Sequence, residues 1–391
     1  MNRPMRLEKC FWAAFLIPTL LPGLKAGVST TELVAIVSCL FAGAVLTLNY
    51  LRATKWPVAI WLLVLYLALS FVGLIHDSPN YFLSHFAGGL AFLIALVVGA
   101  CAPARIRGAI VQGLFLLLLT GAALDIAFDL AGWSPMAERP MAGWEAGARG
   151  VATGRSLNGM YLAPVMAFMI VAAPTVKWRV LGATSLLLVF YHVVVFGQGR
   201  GVASLALFGI LAVLTRELRS LPVALLVLGP FMILLATGFF DEATAPFIGR
   251  VTSQNLSEID RIHHASVGER LVTNMSGEEV LFGMDYKKVF IANGGISMHN
   301  AFFDTLTRYG LFVTAPWLVF NVVLLIASGA ILLRRGIERE QSIAAVVALQ
   351  MLGMSMAAPI FINWRSCVIP GICTGLVLRA FQSEGQQWNH S

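Results

Sequence analysis

The sequence predicts an all-α integral membrane protein of about twelve transmembrane helices with one large extracytoplasmic loop that contains short helices, and three observations carry that reading. Only 12% of the 391 residues are charged and 58% are hydrophobic, whereas a soluble domain has about 25% charged residues with which to cover itself. The apolar residues come in repeated runs of about 16 to 24, near the length that spans hydrocarbon, and mean hydropathy is +0.80. Lys and Arg collect in every second connection, as topology requires of a multi-pass chain.

Taken in order, the apolar runs predict helices near 9–25, 31–51, 56–76, 81–101, 108–131 and 159–175, then near 180–197, 201–215, 221–240, 300–333, 341–362 and 365–381. The first run, Phe11 to Leu24, follows Arg3, Arg6 and Lys9 in the manner of a signal peptide. No small-residue cleavage site follows, so it is read as a retained first helix. The run from 300 to 333 is too long for one crossing. Its first three turns are expected at the interface, with entry into the bilayer at about Leu311.

The organisation that follows has three parts. Residues 1–240 hold nine transmembrane helices and a medium outer loop at 132–158, residues 241–299 form the large outer loop, and residues 300–391 hold three more helices and a short cytoplasmic tail. The inner connections carry Arg52 with Lys55, Arg105 with Arg107, Lys177 with Arg179, Arg216 with Arg219, and Arg334, Arg335 and Arg339. Short outer connections carry one basic residue or none, so both termini are expected in the cytoplasm. The formal charge of +7 is scattered singly and forms no basic stripe with interleaved aromatics, which assigns it to topology and not to nucleic acid. Cys10, Cys39, Cys101, Cys367 and Cys373 lie mostly inside apolar runs, without the pair spacing of metal or redox sites.

Polar chemistry concentrates in the large loop. Ser266 with Glu269 reads as a capping box opening a short helix, with Arg270 and Asn274 on one face and Leu271 and Met275 on an adjacent one. Ser276 with Glu279 reads as a second box ahead of Gly283. Arg200 stands among glycines at the outer start of a helix, where free backbone amides and a guanidinium together make an anion site. His299 and Asn300 stand where the large loop returns to the membrane, and an imidazole there can take a proton from a hydroxyl near neutral pH. Asp125 and Asp129 are one turn apart near an outer helix end. Asp304 and Arg308, at the same spacing, are read as an intrahelical ion pair, and His192 as a packed or hydrogen-bonded residue. His263 and His264 are adjacent and diverge, which disfavours a metal role.

In order along the chain, Gly199-Arg200-Gly201, Glu269-Arg270-Leu271 with Leu281-Phe282-Gly283, and His299-Asn300 through Gly310 resemble the signature segments of the O-antigen ligase and polymerase superfamily of bacterial envelope glycan transferases. Gly199 stands where that family has serine, and its tryptophan after the loop arginine is missing here.

The resemblance implies a C-type glycosyltransferase architecture in the bacterial inner membrane with its active site facing the periplasm. It implies transfer of a glycan from undecaprenyl diphosphate to the hydroxyl of a glycolipid or glycan acceptor, without metal or other cofactor. His299, Arg270 and Arg200 are then the catalytic candidates, and Arg200, Arg270, Asn300, Arg155 and Asp125 the substrate-binding ones. Ligase and polymerase remain open, with the ligase preferred. A lipid-linked glycan flippase or secondary transporter is the alternative, with Asp125, Asp129 and His192 as its path.

Overall fold

The computed structural model describes residues 3–20, 30–51, 57, 59–71, 79–131, 157–196, 200–216, 266–292, 300–334, 337–355 and 364–388, and every regular element among them is helical. In chain order these are α1 (Arg3–Leu16) with a 3-10 turn at Ile17–Leu20, α2 (Thr30–Leu51), α3 (Ala59–Leu69), α4 (Pro79–Cys101) and α5 (Ala104–Leu130). Then come α6 (Leu157–Ala172), α7 (Val176–Phe190), a π-helical turn at Tyr191–Phe196, and α8 (Arg200–Arg216). The loop contributes α9 at 266–273, α10 (Gly277–Phe282) and α11 (Tyr286–Ala292). The chain closes with α12 (Ala301–Leu333), α13 (Arg339–Ser355) and α14 (Trp364–Trp388).

The apolar runs thus mark real helices, with differences at their ends. α1 begins and ends earlier than expected, α14 runs further, and the run at 180–197 is an α-helix only to Phe190 before it widens into the π turn. The expected helix at 221–240 and the loop at 132–156 lie outside the described residues. No disulfide joins any of the five cysteines, and all but Cys10 are buried.

Two compact units are built from interleaved segments. The first comprises residues up to Leu46, Pro103–Ser253 and Arg334–Gln350. At its centre α6 lies against α5, α7 and α8, and almost every α6 side chain is buried. Pro164 interrupts α6 and has no N–H for the Met160 carbonyl four residues back. The Gln350 amide from α13 takes its place, donating to Met160 O at 3.1 Å and to Leu205 O of α8 at 2.8 Å. One side chain therefore joins three helices at a proline gap. Gln350→Leu leaves that buried carbonyl without its donor and is expected to cost about 1–3 kcal/mol, read as a lower unfolding midpoint in detergent.

The second unit comprises Thr47–Ala102, Gln254–Leu333 and residues from Met351 onward. Here α14 lies along α4 at backbone contact: a Cβ on Gly375 would overlap the Leu96 carbonyl, and one on Gly371 would meet Ala95 Cβ at 2.7 Å. Small residues at four-residue spacing permit that approach. The other long helix, α12, breaks at Gly310, whose φ of 71° and ψ of 178° no other residue type adopts readily. The break falls one residue before Leu311, where the change of environment was expected. Its first turns are not spread on a surface, however: Asp304 through Gly310 are buried within the protein. Beyond the break, Leu311, Phe312, Val319, Val322, Leu325 and Ile326 are exposed.

Candidate functional site

The sequence candidates divide between the two units. In the second, Asn300 starts α12: its Oδ1 accepts from Phe302 N at 2.9 Å and Phe303 N at 3.2 Å, and its carbonyl accepts from Asp304 N. Such a cap contributes about 1 kcal/mol. Asn300 therefore fixes where the helix begins behind His299, which itself lies outside the described residues.

Arg270 is exposed on α9. The adjacent face of α9 is apolar and seats the helix: Val267 joins Met284 and Val289 in a small core, with Leu271, Met275 and Phe303 packed around it. Phe303 belongs to the first turn of α12, so the Arg270 helix and the Asn300 cap share one folded element. The faces of α9 are as the sequence implied, with Asn274 also exposed and its amide donating to the Arg270 carbonyl at 2.8 Å. Ser266 lies already inside α9, and the residues ahead of it are outside the description.

The second capping box is complete. Glu279 N donates to Ser276 Oγ at 3.2 Å, and Ser276 N donates to Glu279 Oε2 at 2.9 Å. That amide, with the Lys288 ammonium at 3.1 Å, holds the Glu279 carboxyl below its ordinary range. α10 then ends at Gly283, with φ of 89°, and this glycine backbone lies directly on Arg308 and Tyr309. Met284 N donates to Thr307 O at 2.7 Å, at the turn where the Gly310 break removes helical donors. A Cβ on Gly310 would in turn overlap the Leu281 carbonyl. The Leu281-Phe282-Gly283 segment is thus seated, backbone to backbone, in the break of α12.

Beneath the seat is a buried polar cluster. Arg308 Nε donates to Asp304 Oδ1 at 2.8 Å, and both side chains are at most 2% exposed. The expected ion pair is present, though buried. Tyr66 Oη and His85 Nε2 are 2.6 Å apart, and the His85 ring lies 5.4 Å from that of Tyr309.

In the first unit, Asp125 is buried. Its Oδ2 accepts from Asn158 Nδ2 at 2.9 Å and from His192 Nε2 at 2.8 Å. His192 sits on the π turn, a distortion often found at functional positions. A Cβ on Gly159 would meet His192 Nδ1 at 2.6 Å, so the imidazole rests against the α6 backbone. The sequence showed His192 as hydrogen-bonded but gave no sign of its partner 67 positions away. Arg200 is the first residue of α8, with its side chain outside the description, as is that of Asp129 and the whole of Arg155.

Among the described residues no three His, Cys, Asp or Glu side chains are grouped to hold a metal ion. The class defined this far is an all-helical chain in which two described helices, Ala104–Ala127 and Ala301–Leu333, are long and apolar enough to cross a membrane. Compared with protein-family models, curated proteins and solved structures, the chain has no match.

Proposed function

We propose that this chain is a multi-pass glycan transferase of the bacterial inner membrane, moving a glycan from undecaprenyl diphosphate to an acceptor hydroxyl at the periplasmic face. The membrane reading is supported by the outward apolar faces of α2, α8 and α12, including Phe41, Leu48, Leu207 and Leu211. Water would penalise such surface and lipid does not. The observation that supports the chemistry is the seating of α9 on the first turn of α12, which puts exposed Arg270 on the same folded element as the Asn300 cap.

Cleavage of the anomeric carbon to phosphate bond develops negative charge on the departing diphosphate. Arg270 neutralises it, its planar fork binding two oxygens at once, and the resemblance gives Arg200 the same role. His299 accepts the proton of the acceptor hydroxyl as that oxygen attacks the anomeric carbon, which inverts. The polyprenyl chain stays in lipid, and positioning of donor against acceptor supplies much of the rate. A glycolipid acceptor makes the chain an O-antigen ligase. A second lipid-linked glycan makes it a polymerase.

The test is transfer from a defined undecaprenyl diphosphate glycan by purified protein in detergent, with chelator present. Arg270→Ala is expected to lower the rate by about 10²–10³-fold, with Arg270→Lys recovering only part, and His299→Ala is expected to lose transfer across pH 6 to 9. Near wild-type rates in these variants would remove the assignment. The buried Asp125–His192 contact favours a second reading, proton-coupled export of a lipid-linked glycan. In that case Asp125→Asn abolishes export in vesicles while no glycosidic bond is made.

A further inference from the structure

We propose that the end of the first unit formed by the starts of α5, α7 and α13 is a binding site for the phosphodiester headgroup of an anionic phospholipid. The inference rests on the membrane reading of the chain and is independent of what the outer loop catalyses.

The first turn of α5 carries Arg105 and Arg107, the first turn of α7 carries Lys177 and Arg179, and Arg339 opens α13. These segments are far apart in sequence and joined in space. Arg107 Nη1 pairs with Glu338 Oε2 at 2.7 Å, Arg339 Nη1 donates to Ala172 O at 3.4 Å, and Arg179 Nε donates to Ala173 O at 3.0 Å. Five basic residues therefore stand at these three joined helix starts, with Glu338 and Glu340 as the neighbouring carboxylates.

Sidedness accounts for the end of the helices at which these cations stand. It leaves open what they hold, and in a helical first turn the backbone already presents positive charge, so acidic residues are favoured there. Neither α5 nor α7 has an acidic residue in its first turn, and the N-cap of α7, Thr175, makes no side-chain cap bond. Arg107 Nε is buried and has no hydrogen-bond partner among the described residues. Arg105 and Lys177 are exposed and make no ion pair among them. An anion at this end answers all of these groups together.

The surroundings select a lipid over a free anion. Val176 is 73% and Val180 55% exposed, directly beside Lys177 and Arg179, an apolar outer wall for an acyl chain below the headgroup. Trp178, between the two cations, packs edge-on against Phe115 at 6.2 Å, and tryptophan is the residue that marks headgroup depth. Basic pockets between helices on the cytoplasmic side take phospholipid headgroups by this combination.

The experiment uses the full chain in neutral detergent, titrated with phosphatidylglycerol, phosphatidylcholine or inorganic phosphate. Retained lipid is counted by native mass spectrometry, and the unfolding midpoint is followed alongside. Phosphatidylglycerol is expected to be retained and to raise the midpoint, and phosphatidylcholine and phosphate are not. In the Arg105→Gln, Lys177→Gln variant, retention is expected to fall at least several-fold with the lipid-free midpoint unchanged. Equal retention of phosphatidylcholine, an equal rise with phosphate, or undiminished phosphatidylglycerol retention in the variant would overturn the proposal. Should the double variant not fold, Lys177→Gln alone, on an exposed side chain, is held to the same retention criterion. None of these readouts uses glycan transfer, so failure here and failure of the enzymatic reading are separate results.

Discussion

Arg308→Met is expected to destabilise the second unit by about 3–5 kcal/mol, because it strands the Asp304 carboxylate in a site from which water is excluded. The pair is at most 2% exposed and its Nε to Oδ1 distance is 2.8 Å. The double change Asp304→Leu with Arg308→Met removes both charges and is expected to recover most of that loss. Unfolding of the single and double variants in mixed micelles gives the comparison. A double variant as unstable as the single one would mean that Arg308 acts by bulk or through other neighbours and not by neutralising Asp304.

On the proposed reading, Gly283→Ala is expected to lower transfer by about 10²-fold while leaving the helices formed. At φ of 89° and ψ of 176° a side chain is strained by about 1–3 kcal/mol, and here its Cβ would also strike the Arg308 carbonyl. Backbone cannot step aside as a flexible side chain would, so α10 must lift from the break in α12. With it moves the small core of Val267, Met284 and Val289 that supports Arg270. A displacement of about 1 Å between reacting groups lowers rates by about 10²-fold. Transfer at wild-type rate, with unchanged proteolytic resistance of residues 266–292, would show that the seat is dispensable.

Much of this is legible in the sequence. The lengths of the apolar runs located the helices, and the excess length of the run at 300–333 located a discontinuity within one residue of Gly310. The spacing of Asp304 and Arg308 gave their ion pair, because four residues is one helical turn. The two faces of α9 followed from the same geometry. What could not be read is what joins distant segments. Asp125 meets His192 and Asn158 only because α5, α6 and the π turn pack together, and nothing in the local pattern distinguishes a π turn from one more turn of α-helix. Gln350 looked like any polar residue in an apolar helix until Pro164 supplied a carbonyl for it. A signal for the α4 to α14 contact was present in Gly371 and Gly375, four apart in an apolar run, and a search for small residues at that spacing would have found it.

The way Leu281-Phe282-Gly283 sits in α12 separates holding from reading. Main-chain atoms and two absent side chains make the joint, so what matters there is peptide geometry and not chemical identity. Neighbouring loop positions are thereby released to vary. A lineage can remodel the outward surface of 266–292 without loosening its anchorage, provided both glycines stay.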